Sequence, residues 1–247
     1  MGSNLGSTWE WDGGSWTNAE DEGPPARLFP SACEYEDGTA ILFGGAIAVN
    51  LGDTWQWDGA QWTQVADVGP SERYSTAMAL EPGTDEVYLF GGRLTGGVWG
   101  SDTWRFQKGL WTQVGDEGTG PVVTKPQLAW DPLTDRLTLF GSAVGANRTW
   151  VWSDGDWTEV QDFGADAGSV LFSTSQGLVA FHTESRKAWL WSGQFWSNIQ
   201  DMGPSPREDA ATGWDPVRDR GVLFGGFPVG GIVGARLGDT WELAPPV

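Results

Sequence analysis

The chain has 247 residues, a formal net charge of −19, and 37 Gly, 14 Pro and 18 Trp. That charge argues against nucleic-acid and anionic-membrane partners, which need a basic footprint, and no run reaches the ~18 apolar residues of a membrane helix. One cysteine, Cys33, excludes an intrachain disulfide, and one histidine, His182, excludes histidine-rich zinc sites.

The opening Met1-Gly2-Ser3 has the look of an expression tag, so a natural leader is expected to have been removed; the compartment stays open, with a lean to a secreted or cell-surface protein. Residues 6–19 then carry two strands, through Trp9 and Trp16. Four-strand units follow at about 27–65, 73–114, 122–160 and 166–199, and a last unit over 207–243 stops after its third strand. A period of ~40–50 residues signals a propeller or an array. The pairs Trp9/Trp16, Trp55/Trp62, Trp104/Trp111, Trp150/Trp157 and Trp189/Trp196 mark the same point of each unit, and Trp241 starts a further copy.

Within a unit the first strand ends on an aromatic or apolar residue before a turn: Tyr35, Leu80, Trp130 or Trp214. The second is apolar on both faces, as in Ala40-Ile41-Leu42-Phe43-Gly44-Gly45, which suits a strand sandwiched between neighbouring sheets. The third carries Thr-Trp-x-Trp, the turn is of the Asp154-Gly155 kind, and the fourth opens Trp-Thr-Gln-Val or similar. No segment sustains helical spacing. The periodic tryptophans are expected to be core.

The Gly-Gly pairs at 44–45 and 91–92, each followed by Trp55/Trp62 or Trp104/Trp111, resemble kelch repeats over nearly the whole chain. The closest likeness is to bacterial kelch-like arrays rich in Gly-Asp-Thr-Trp and Gly-Pro-x-x-Arg. The resemblance implies an all-β, single-domain kelch-type β-propeller over residues 1–247, here with five four-stranded blades, the last closed by N-terminal strands. Residues 14–19 would supply the outer strand, displacing the surplus Trp9 or Trp241 segment. The departures are Gly141-Ser142 and His182-Thr183 in place of the glycine pair. A monomer is expected. Pairing of two copies through an open edge, or membership of a larger array, stays open.

Long connections at 46–51, 93–100 and 227–237, and between units, emerge on one face, where binding is expected. Arg27, Arg73 and Arg207 each close a Gly-Pro-x-x-Arg; the resemblance places strand one innermost, so they can line one axial pocket for a carboxylate. The other reading pairs each with an acid such as Glu72 or Glu208 to fix a loop. Trp99, outside the repeat pattern, with Arg93 and Tyr74, offers an aromatic and cationic ligand surface. Arg236, after the apolar loop 230–235, is a further candidate contact.

Catalytic chemistry is sparse. His182 is either a base at a pocket rim or a packed residue of an irregular unit. One His and one Cys leave too few ligands for a copper-radical oxidase, and neither a Gly-x-Ser-x-Gly elbow nor a phosphate loop is present. Asp131/Asp135 and Asp215/Asp219 sit in turns that Asp-Pro initiates. No cofactor is expected; loop-bound calcium stays open, although no twelve-residue calcium loop occurs. The leading expectation is a non-catalytic module that binds a protein or a carbohydrate. The alternative is a small-molecule enzyme, epimerase- or lyase-like, gripping an acidic substrate with the three arginines.

Overall fold

The computed structural model describes the chain except residues 1–5, 21, 36–37, 162–163, 167, 201–202, 209, 216, 231–234 and 245–247. No α-helix occurs among the described residues, and the fold class is that of a five-bladed β-propeller. Cα proximity divides the chain into two compact units, Met1–Pro126 and Gln127–Val247.

The first unit opens with a hairpin, Thr8–Trp11 against Trp16–Glu20. Its first sheet is a meander of Ser31–Tyr35, Thr39–Ala46, Asn50–Trp57 and Trp62–Ala66. The second runs Ala77–Leu80, Val87–Phe90, Thr103–Gln107 and Leu110–Gly115. The third sheet opens at Thr124, just before the boundary, and continues into the second unit: Thr124–Asp131, Arg136–Ala143, Ala146–Ser153 and Asp156–Gln161. The fourth is Val170–Thr174, Gly177–His182, Lys187–Trp191 and Trp196–Gln200. The fifth joins Ala211–Asp215, Arg220–Phe224 and Thr240–Leu243. Trp9 lies in the two-stranded hairpin with Trp16, and Trp241 in the third strand of the fifth sheet.

The second strands form the cores, as their two-sided apolar runs require. Ile41, Phe43, Val87 and Leu89 are fully buried and pack with Tyr35, Met78 and Phe106 in the first unit. In the second unit Phe140, Leu178 and Ala180 pack with Trp191 and Trp196, while Phe172, Phe181 and Leu223 form a further cluster. Each fully buried Val, Leu, Ile or Phe among them stabilises by about 1.5–3 kcal/mol through burial.

The seven-residue tryptophan spacing is a hairpin register. Position i+2 of the third strand lies opposite the fourth-strand tryptophan: Trp11↔Trp16, Trp57↔Trp62, Phe106↔Trp111, Trp152↔Trp157 and Trp191↔Trp196. Their ring centroids are 5.1–5.5 Å apart. Such cross-strand aromatic pairs stabilise a sheet beyond their area alone. In the second and third sheets the hairpin turns are Lys108-Gly109 and Asp154-Gly155, both residues of each at positive φ, as a two-residue turn between twisted strands demands.

The other repeated tryptophan is not core throughout, which corrects the expectation from periodicity. Trp9 is 51% and Trp241 43% exposed. Trp55, Trp104 and Trp241 instead donate Nε1–H to the aspartate two residues earlier, Asp53, Asp102 and Asp239, at 2.6–2.7 Å. The fourth-strand tryptophan reaches the preceding sheet or hairpin. Trp62, Trp111 and Trp196 donate to Thr8, Thr54 and Thr149 at 2.7–2.8 Å.

Candidate binding face on the connecting loops

The Gly-Gly pair is where two connections meet. In the first sheet Leu28 and Ala46 exchange backbone hydrogen bonds of 2.8 Å. At the same place Tyr74 pairs with Arg93 in the second, and Glu208 with Phe227 in the fifth. Backbone passes so close that a Cβ on Gly44 would come 2.5 Å from the Arg73 carbonyl oxygen, and one on Gly226 2.7 Å from that of Glu208. Both glycines also hold positive φ, so an L side chain is excluded twice over. In the first, second and fifth sheets the two connections expected to share a face are therefore hydrogen-bonded to each other.

Arg27, Arg73 and Arg207 stand directly under this junction. Arg73 is 2% exposed at its side chain and uses every donor it has. Nε reaches the Ser71 carbonyl, Nη1 the Gly91 carbonyl and Asp102 Oδ1 (2.6 Å), and Nη2 the Ser71 hydroxyl and Asp102 Oδ2 (2.9 Å). Arg207 makes the same five bonds with Ser205, Gly225 and Asp239. Arg27 grips Asp53 in the same bidentate way and bonds the Pro25 and Gly44 carbonyls. These are fork-to-fork pairs with the arginine buried in each, although the Asp239 side chain is 42% exposed. No guanidinium edge is left for a ligand carboxylate, so the three arginines clamp the connection rather than line a pocket. The acids are the aspartates of Asp-Thr-Trp, preceded by Gly at 52 and 238 and by Ser101 in the second sheet, not Glu72 or Glu208.

The clamp acids respond. Burial pushes the Asp53 carboxyl up, but hydrogen bonds from Arg27 and Trp55 outweigh it and hold the group below its ordinary value. Arg207 does the same for Asp239, against a smaller opposing effect of burial and with help from Trp241.

In the fourth sheet the clamp is rewritten. Val170 lies opposite Phe181 as Ala77 does opposite Phe90, so Asp166 takes the arginine position and Lys187, two before Trp189, the aspartate position. Asp166 Oδ2 accepts from the Ser185 hydroxyl at 2.5 Å, and His182 Nδ1 accepts from the Ser185 backbone N–H at 3.0 Å. Nucleophilic relay needs the imidazole between serine and carboxylate. Here the serine is in the middle, and the trio ties down the Thr183–Arg186 turn. Asp131 and Asp215 likewise serve turns, accepting from Leu133 N–H and from Val217 and Arg218 N–H. Among the described residues no group of three or more His, Cys, Asp or Glu gathers in a way that could hold a metal ion.

Arg93, Trp99 and Tyr74 do come together. The Arg93 guanidinium lies 5.9 Å above the Trp99 ring, and the two residues form a β-bridge. Tyr74 pairs with Arg93 across the strands and stacks at 6.0 Å on Phe29, whose carbonyl accepts from Ser75 N–H. Asn50 Nδ2 donates to the Arg93 carbonyl at 3.3 Å, tying in the first sheet's loop. Trp99, expected as an exposed ligand aromatic, is half-buried beneath the arginine. In the second unit Arg236 sits 6.0 Å over the Phe227 ring; loop positions 231–234 lie outside the described residues.

Around Arg93 the loops present aliphatic and aromatic side chains that the sequence reading did not single out: Leu28, Phe29 (52% exposed), Ile47, Val49 (63%) and Val98 (62%). For Ile47, Val49 and Val98 the signal was available, since apolar residues in the loop between Gly-Gly and Asp-Thr-Trp lie off the strand register and have no sheet to pack on.

No family model matches the sequence, and no curated protein matches it. Among solved structures the chain is similar to that of YjhT, with a TM-score of 0.71 at 12% identity over 97% of this chain and 88% of that one. At that identity the likeness concerns the fold alone.

Proposed function

We propose that the chain is a non-catalytic binding module for a protein partner, and that it binds through the connecting loops of the first unit. The observation that carries this reading is the exposed group Leu28, Phe29, Ile47, Val49 and Val98, set on loops hydrogen-bonded to one another around Tyr74, Arg93 and Trp99. Grouped apolar exposure beside aromatic residues and an arginine is the composition of a protein-binding patch. A carbohydrate site would call for many side-chain donors and acceptors, and this rim is mostly aliphatic. The repeats' kelch resemblance is compatible with a binding role. The enzyme alternative asks for free arginine forks, and those of Arg27, Arg73 and Arg207 are engaged with aspartates.

The test is selection of displayed random peptides on the immobilised chain, with affinities of the selected peptides measured by fluorescence anisotropy. The double variant Ile47→Ser/Val49→Ser is expected to weaken them by about tenfold or more, as loss of buried interface methyls implies, with little change in melting temperature because both side chains are exposed. Selected peptides that bind the variant as well as the parent chain would refute the reading. Binding of a glycan panel, abolished by the same variant, would replace the protein partner with a carbohydrate.

A further inference from the structure

The Arg93 side chain differs from every clamp arginine. Among the described residues no hydrogen bond and no ion pair reaches its guanidinium, and its Nε is fully buried without a partner. Its one side-chain contact of note is the Trp99 ring, which covers a face of the guanidinium but leaves the in-plane donors unsatisfied. The next residue along its edge is Gly97, where a Cβ would stand 3.4 Å from Nη2. Meanwhile its backbone is fixed by Tyr74, Trp99 and Asn50. A positioned, partly desolvated cation with open donors, in a chain of net charge −19, is a receptor for an anion.

We propose that Arg93 is the anchor of the loop face: it receives one Asp or Glu side-chain carboxylate from a protein segment whose flanking apolar residues rest on Phe29, Ile47, Val49 and Val98. This rests on the protein-binding reading above and adds the chemistry of the partner. The acidic character of the rest of the chain sets a limit on that chemistry. A run of acids in the partner is repelled, whereas a lone carboxylate among apolar residues approaches within a Debye length and meets a single guanidinium. Trp99 holds the guanidinium plane, so the fork is presented without the entropy cost of ordering a free side chain.

The experiment extends the same peptide selection to Arg93→Gln and Arg93→Glu, with melting temperatures confirming that both variants fold. On the parent chain the selected peptides are expected to carry one Asp or Glu between apolar residues. Arg93→Gln should weaken them about tenfold or more, the loss of a charge-assisted hydrogen bond. It should also erase the difference between each peptide and its Asn or Gln counterpart, a double-mutant cycle that a merely structural role would not close. Arg93→Glu should select peptides carrying Lys or Arg instead. Selected peptides without an acid, still lost with Ile47→Ser/Val49→Ser, would overturn the anchor and leave the face standing. Peptides that depend on neither set of residues would overturn both.

Discussion

Arg73 and Arg93 are the same residue type twenty positions apart, and the structure gives them opposite roles. Arg73 is saturated by Ser71, Gly91 and Asp102; among the described residues the Arg93 guanidinium meets the Trp99 ring and no hydrogen-bond partner. Gly-Pro-x-x-Arg was legible as a motif, but its partner was not. The arginine-to-aspartate separation is 26, 29 and 32 residues in the three clamps, because the intervening loops differ in length. An internal comparison carries the missing information: where the fourth sheet loses the arginine it also loses the aspartate, and Asp166 and Lys187 stand there instead. The clamps make a pH prediction. Asp53 and Asp239 are held below their ordinary value in the folded state, so the unfolded chain binds more protons as the solution is acidified. Their stabilisation is fully present above the unfolded carboxylate value of about 3.9 and is lost as pH falls through the lower folded values. Urea midpoints should therefore vary little from these groups between about pH 5 and 7 and drop below about pH 4. Arg27→Met should flatten Asp53's share of that drop; an unchanged acid limb in the variant would contradict the assignment.

At the scale of elements the sequence was most readable where local geometry and packing agree. The second strands and the two-residue turn at Asp154-Gly155 followed from alternation and turn chemistry. The exposed rings of Trp9 and Trp241 did not, because alternation says which face a side chain takes and not whether another element covers that face. The joint between successive elements is the fourth-strand tryptophan, seated on a glycine of the preceding connection and hydrogen-bonded to a threonine. Trp111 bonds Thr54, and a Cβ at Gly69 would stand 2.5 Å from its ring. Trp111→Phe keeps most of the ring but strands a fully buried Thr54 hydroxyl, and should cost about 1–3 kcal/mol. Gly69→Ala should cost a similar amount by pushing the ring out of place. Chemical denaturation of the two single variants and the double reads this directly. Additive losses would show that glycine and indole do not share a joint, whereas the expected result is a double variant less destabilised than the sum.

Across the whole molecule, the residues with the loudest periodic signal hold the sheets, and the candidate site is made of residues that break the period. Function is commonly grafted onto a scaffold, and the graft proposed here is Phe29, Ile47, Val49, Arg93, Val98 and Trp99, on connections whose ends the Gly-Gly junction fixes. Trp99, Arg93 and Tyr74 could be suspected from sequence because they lie in or beside loops. Leu28 and Phe29 could not be joined to them, since the contact that brings them together, Phe29 on Tyr74, spans a whole sheet in sequence. The most direct test of this division is a comparison of unfolding free energies for Arg73→Ala and Arg93→Gln in the full chain. Removing Arg73 leaves Asp102 buried without its partner and should cost about 3–5 kcal/mol. Arg93→Gln removes no hydrogen bond or ion pair from the fold, only the contact with the Trp99 ring, and should stay within about 1 kcal/mol of the parent. Equal losses, or a neutral Arg73→Ala, would contradict the account.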